Sequence, residues 1–255
     1  MTSLAEYARC PRRHWFATWM RIPEPRRDDH GGDDPDRATV RGTLAHALLS
    51  EADLGAPPLE RRALLAAAAS RRGEDPGRPG VRRIVEDVDR FLASAAGERL
   101  AAAARGGALR RELPFVVRLE GTPACYLDGA LDVLIVNKDL VEVLDFKYAS
   151  HHPGAEERHR VQLAGYSLAA SRAFPGRPVR AAIHFLRPPF EVDVTPSPDD
   201  LARLAAEAPA LALSAARGEG QDRSPAQLGR DLERCRAESC GYVDRCFGPP
   251  RPPAA

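Results

Sequence analysis

Asp132, Asp145 and Lys147 are the side chains whose types and spacing suggest chemistry. Gly129-Ala130-Leu131-Asp132 is followed thirteen residues later by the acid of Leu144-Asp145-Phe146-Lys147. Two acids that share a divalent ion, with an amine beside them, are equipped for phosphodiester hydrolysis. The ion polarises a phosphate and acidifies a water, and the amine orients that water or stabilises developing charge. Magnesium takes near-octahedral oxygen ligands, usually one or two carboxylates completed by water and substrate phosphate. A surface ion pair would account for an isolated Asp-x-Lys. Charges set inside Val143-Leu144-Asp145-Phe146-Lys147, however, are costly to bury unless they are paired or bound to metal.

The elements that must position these groups read directly from periodicity. Cys125 to Val136 and Leu140 to Lys147 form a β-hairpin across the turn Asn137-Lys138-Asp139. Residues i and i+2 of a strand share a face, so Asp145 and Lys147 point one way while Phe146 enters the core and leaves its carbonyl at the site. Asp132 then stands opposite on the partner strand. Arg41 to Glu51 reads as a helix with His46 on the stripe of Gly42 and Leu49. That imidazole is either an inward-facing ligand or a satisfied core histidine. Val161 to Tyr166 reads as a helix that places Gln162 and Tyr166 four residues apart on one face.

Taken in order, these segments resemble the RecB-type nuclease domain of the PD-(D/E)XK superfamily, in its iron–sulfur subtype. Ser3 to Phe16 is similar to the opening helix of that family, and Gly42-Thr43-Leu44-Ala45-His46 to its G-x-x-x-H motif. Arg111-Glu112-Leu113-Pro114-Phe115 resembles the acidic start of its first strand, where a solvated glutamate would serve equally well. The hairpin carries the family's G-x-x-D and D-x-K, and Gln162 with Tyr166 its Q-x-x-x-Y. The resemblance implies a restriction-endonuclease-like α/β core, a mixed central sheet flanked by helices, with an N-terminal helical region and a C-terminal cysteine-rich segment. It implies that His46, Asp132, Asp145 and the Phe146 carbonyl hold Mg²⁺ or Mn²⁺, that Lys147 serves the attacking water, and that Gln162 and Tyr166 position DNA. The activity implied is that of a metal-dependent deoxyribonuclease, an exonuclease acting on single strands or duplex ends in DNA repair or recombination.

The five cysteines make a separate case. Cys10 stands near the start, Cys125 on the first hairpin strand, and Cys235, Cys240 and Cys246 form a C-x4-C-x5-C cluster. Cys10 and the last three read as one site, and Cys125 as a small buried hydrophobe. Thiolates alone do not distinguish an iron–sulfur cluster from zinc. Disulfides are the other alternative, disfavoured by the odd fifth cysteine and the lack of a signal peptide, which points to a cytoplasmic address with reduced thiols. The resemblance extends to Arg234 through Cys246 and implies a 4Fe–4S cluster on Cys10, Cys235, Cys240 and Cys246. Such a link would close most of the chain into a loop, worth about 5 kcal/mol if it acted as a single crosslink.

Composition points to a globular protein but not to nucleic acid. Lys and Arg number 37 against 36 Asp and Glu, a net charge of +1, so affinity for a polyanion must come from local patches. Arg9, Arg12 and Arg13, joined by Arg21, Arg26 and Arg27, concentrate positive charge around the opening helix beside Trp15 and Trp19. That helix reads either as a phosphate-contacting face or as a solvated basic face over aromatic core residues. The 255 residues suit one domain over 1–248, with a mainly helical part over 1–105, a catalytic core over 106–217, and a cysteine segment over 230–248 closing onto Cys10. Residues 249–255 read as a disordered tail, and Arg26 to Arg37 as an exposed loop. Helices are expected over Leu59 to Arg71, Val81 to Ala104 and Leu201 to Ala216, and further strands over Arg111 to Leu119 and Val179 to Leu186. Gly218 to Ser224 reads as a linker. No apolar run approaches the roughly 18 residues of a membrane span. No G-x-x-x-x-G-K-[ST] loop is present, so any unwinding of DNA would need a separate helicase partner. The alternative reading is a cluster-stapled DNA end-binding module without catalysis; a redox sensor built on the same scaffold is more remote.

Overall fold

The computed structural model describes residues 2–25, 35–121, 124–238 and 240–248. The elements run α1 (Thr2–Arg9), α2 (Pro11–His14), a π-helical turn (Trp15–Trp19), α3 (Pro35–Glu51), α4 (Pro58–Arg71), α5 (Pro79–Leu92) and α6 (Ala95–Arg105). They continue as β1 (Leu109–Leu119), β2 (Cys125–Val136), β3 (Val141–Lys147), α7 (Arg160–Ala173), β4 (Val179–Leu186), β5 (Pro189–Asp193), α8 (Pro198–Ala216), α9 (Leu232–Ala237) and α10 (Val243–Phe247). Among the described residues the chain divides into two compact units. One gathers Met1–Asp33, Leu119–Cys125 and Ala206–Ala255, and the other holds Asp34–Arg118 and Tyr126–Ala205.

The larger unit is built on a sheet of order β1-β2-β3-β4-β5. β2 and β3 pair antiparallel as the expected hairpin, with Val133 opposite Leu144. β3 and β4 pair in parallel, with Asp145 opposite Ile183 and Lys147 opposite Phe185. A parallel pair needs a crossover, and α7 supplies it. β4 then turns back into β5, a strand absent from the sequence reading because Pro189 opens it, and proline demotes a run to an edge. The result is the mixed α/β fold expected from sequence.

β3 explains why this unit can hold a site. Every residue from Val141 to Phe146 is buried, as befits a central strand covered on both faces. One face, with Val133, Ile135, Leu144, Phe146, Ala182 and Leu186, joins the apolar stripes of α3 to α6 in one core. The α5 stripe, Val81, Ile84, Val85, Val88, Phe91 and Leu92, follows helical periodicity and is buried throughout. α7 packs on β3 and β4 and covers the opposite face, where Asp145 lies.

Two boundaries and the burial of one residue differ from the sequence reading. The opening helix breaks at Cys10, whose extended backbone (φ −159°, ψ 105°) follows from Pro11, since the residue before proline is steered away from helix. The single helix expected from Val81 to Ala104 divides at Ala93 and Ser94, and Ser94 Oγ caps α6 by accepting from Gly97 N. Cys125 is half-buried rather than buried. The expected loop over Arg26 to Arg37 lies outside the described residues up to 34 and is helical from Pro35; the tail over 249–255 also lies outside them. Among the described residues no helix is long and apolar enough to cross a membrane.

The α5–α6 corner depends on Gly97, where a Cβ would overlap the Leu92 backbone. Helix propensity favours alanine over glycine by about 1 kcal/mol, but a clash with main chain costs roughly 2 kcal/mol. Gly97→Ala should therefore lower the midpoint of thermal or denaturant unfolding, and an unchanged or raised midpoint would refute the corner's tightness.

Candidate metal centre

Three elements converge on one point of the larger unit. α3 brings His46, β1 brings Glu112 and β2 brings Asp132, and their ligand atoms all lie within 4.8 Å of one another. His46 Nδ1 is 3.5 Å from Asp132 Oδ2. The same oxygen accepts from the Phe146 backbone N–H at 2.8 Å, which ties the carboxylate to β3. Phe146 itself turns into the core against Phe91 and His184. Burial opposes the His46 imidazolium, yet the hydrogen bond and charge of Asp132 outweigh it and raise the pKa. Burial, reinforced by Asp132, raises the carboxyl of Glu112.

Asp145 lies near enough to this group for the charges of Asp132 and His46 to act on it. It is 1% exposed, and burial pushes its pKa up to about 6 although Lys147 opposes the rise. Lys147 Nζ lies 2.8 Å from Asp145 Oδ2, at an angle that leaves this oxygen with no aligned hydrogen-bond donor. Gln162 Nε2 donates to Tyr166 Oη at 2.8 Å and more weakly to Asp145 Oδ1 at 3.4 Å. Tyr166 is buried, and burial, the first cause, raises its hydroxyl to about 12. Phe115 packs edge-on against its ring. A buried carboxylate with an incompletely satisfied oxygen, beside three convergent donors of mixed imidazole and carboxylate type, fits a divalent cation.

Glu112 was not among the ligands expected from sequence. Arg111-Glu112-Leu113 resembles the family's acidic strand start, but it also alternates as any half-solvated strand does, and a solvated glutamate explains it equally well. Its backbone adopts φ +48°, a conformation rare outside glycine that concentrates at functional positions, and this twist is invisible in the sequence.

The smaller unit holds the arginine cluster and all five cysteines. Arg9 donates to the side chain and backbone carbonyl of Glu238. Arg12 donates to the carbonyls of Gln221 and Arg223 and lies over Phe16. Arg13 pairs with Glu24 and Glu6. These guanidinium groups work as internal struts, so less of each is left to meet phosphate.

Cys235 and Cys240 sit in a small core with Phe16, Tyr242 and Val243, which Cys246 borders. Burial raises the Cys235 thiol, and the neighbouring Cys10 and Cys246 add to the rise. Burial likewise takes Cys240 up to about 11. None of the five cysteines is disulfide-bonded. Among the described residues no three of their sulfurs lie within 4.8 Å of one another. A zinc ion with Zn–S of about 2.3 Å would require sulfurs about 3.8 Å apart.

The sequence model of the PD-(D/E)XK nuclease superfamily matches residues 1–247. No curated protein matches. Among solved structures, SSO0001 is similar at 15% identity, covering 85% of this chain and 100% of its own, with a TM-score of 0.40. A protein from Eubacterium rectale, described provisionally as an exonuclease, is similar at 10% identity, covering 74% of this chain and 70% of its own, with a TM-score of 0.43.

The raised Asp145 pKa fixes the sign of a pH effect. The carboxyl binds its proton more tightly folded than unfolded, so its stabilising contribution is complete near pH 4 and is lost as pH rises through about 6. In EDTA, wild type should therefore lose stability relative to Asp145→Asn across that interval. Parallel stability–pH curves for the two proteins would contradict the assignment.

Proposed function

The chain belongs to the PD-(D/E)XK nuclease superfamily, and on that premise we propose that it is a divalent-metal-dependent deoxyribonuclease whose site is the convergence of His46, Glu112, Asp132, Asp145 and Lys147. The observation that carries this reading is the buried Asp145–Lys147 pair beside a group of three possible ligands. Asp132 and Glu112 would hold Mg²⁺ or Mn²⁺, with His46 completing the set and Asp145 and the Phe146 carbonyl adjoining it. A nitrogen ligand leans the choice towards Mn²⁺, because magnesium favours an all-oxygen shell. When bound, the ion would polarise the scissile phosphate and lower the pKa of water.

The chain's own residues do the rest. Lys147, 21% exposed at its side chain, reaches from a buried partner towards solvent, where it can orient an attacking water and stabilise charge on the phosphoryl oxygens. Gln162 holds Asp145 in place through its amide and is itself held by Tyr166. Both are therefore positioning residues, and their contribution to gripping DNA is indirect. Single strands or duplex ends remain the proposed substrates, in repair or recombination. The sequence contains no ATP-binding loop, so extended unwinding would fall to a separate helicase.

We further propose that Cys10, Cys235, Cys240 and Cys246 carry a 4Fe–4S cluster. The grouping of Cys235 and Cys240 in one small core bordered by Cys246, with Cys10 close enough to act on the Cys235 thiol, supports a shared site, the resemblance favours iron over zinc, and the cluster's work would be structural, joining the first helices to the last.

Asp145→Ala or Lys147→Ala should reduce cleavage of end-labelled DNA by roughly 10³-fold or more while leaving the far-ultraviolet spectrum intact. Digestion at the wild-type rate by either variant would discard the mechanism. Anaerobically purified protein should contain about four irons per chain, and Cys240→Ser should lose them together with several degrees of thermal midpoint. Stoichiometric zinc without iron would replace the cluster proposal.

A further inference from the structure

Lys147 belongs to a row of side chains that crosses the sheet. It is opposite Phe185 on β4, and Phe185 is opposite Phe190 on β5. Directly opposed residues project to the same face, so all three lie on the face of Asp145. Neighbouring strands are about 4.8 Å apart, which sets Phe190 on the order of 10 Å from Lys147. Phe185 is buried, but Phe190 on the edge strand is 50% exposed. His151, in the loop that leaves β3, lies nearly parallel to the Phe190 ring, with centroids 4.5 Å apart and planes 24° apart. It also meets Phe185 edge-on at 5.1 Å, and Glu156 lies 3.5 Å from its Nε2.

Isolated exposed apolar residues are ordinary on protein surfaces. Phe190 differs in two respects: its orientation is held by a stacked imidazole, and it shares a row with the candidate metal centre's lysine. Apolar rings on edge strands carry an aggregation risk that surfaces normally avoid, so a half-exposed ring here calls for a use. A fixed aromatic stack is what an unpaired base recognises, because every base offers a π-face and stacking needs no particular sequence. Bases inside a duplex are already stacked and cannot take that place.

We propose that His151 and Phe190 form a stacking platform for an unpaired nucleobase adjoining the phosphate at Asp145 and Lys147, and thereby select single-stranded over duplex substrate. This rests on the reading of that centre as a phosphodiesterase. The platform is a specificity element and takes no part in bond breaking.

The full-length chain is tested by fluorescence anisotropy with labelled single-stranded and duplex oligonucleotides, Ca²⁺ replacing Mg²⁺ to suspend cleavage, and in parallel by steady-state cleavage. Phe190→Ala should weaken single-strand binding roughly 5- to 100-fold and raise KM while sparing kcat, with duplex binding near wild type. Phe190→Trp should retain affinity, and Phe190→Leu, which keeps the apolar contact but not the π-face, should lose it. An abasic nucleotide walked along the oligonucleotide should weaken wild type at one position and cost Phe190→Ala nothing more there, the non-additivity expected of a direct contact. Rescue by leucine, equal losses on single strand and duplex, or a changed oligomeric state with unchanged oligonucleotide affinity would each overturn the platform. Wild type that binds but never cleaves with Mg²⁺ or Mn²⁺ would defeat the hydrolytic reading alone, since the binding comparisons still judge the platform.

Discussion

The organisation of the larger unit depends on one carboxylate in a strand where carboxylates do not belong. Asp145 occupies a β-strand buried on both faces, and an ionised acid there must be compensated by charge or proton. The protein supplies an ammonium at 2.8 Å and an amide at 3.4 Å, and the pKa still rises. Burial outweighs both partners. The neighbouring groups follow from this constraint. Asp132 adjoins the last ladder pair, Val133 opposite Leu144, and its carboxylate is tied to β3 through the Phe146 amide.

A second buried acid on the same strand is resolved differently. Glu142 lies near Arg180 at 3.3 Å and Arg99 at 3.8 Å, and Arg180 also binds Glu191 and Asp193. Two guanidinium groups meet three carboxylates in one network, so each acid there has an arginine within 4 Å. His184 beside it is driven down to about 4 by burial and stays neutral. Two buried acids on one strand thus differ in their partners: Glu142 meets planar, multidentate arginines from two elements, whereas Asp145 meets a single ammonium.

Much of this was legible in the residues. The hairpin followed from alternation around Asn137-Lys138-Asp139, α4 and α7 from helical periodicity, and the facing of Asp145 and Lys147 from the two-residue repeat of a strand. Other features were not. Proline hid β5, and the π-helical turn at Trp15–Trp19 has no simple sequence signal. The arginines around the opening helix read as a candidate phosphate face, yet Arg9, Arg12 and Arg13 find carboxylates and carbonyls about 200 positions away in the chain or nearby at Glu24. Local composition records the charge of a side chain but not its distant partner.

The sequence by itself determined which chemistry was available: an acid and an amine held two residues apart on an apolar strand, a second acid across a turn, and cysteines at both ends of the chain. These are local facts, set by covalent spacing and backbone periodicity. Tertiary structure alone decided which donors share a point in space. It recruited Glu112 through an unusual backbone angle, aligned Lys147, Phe185 and Phe190 in one row by the registers of two strand pairings, and laid His151 over the last of them. Those outcomes depend on contacts between segments far apart along the chain, and no short-range pattern encodes such distances.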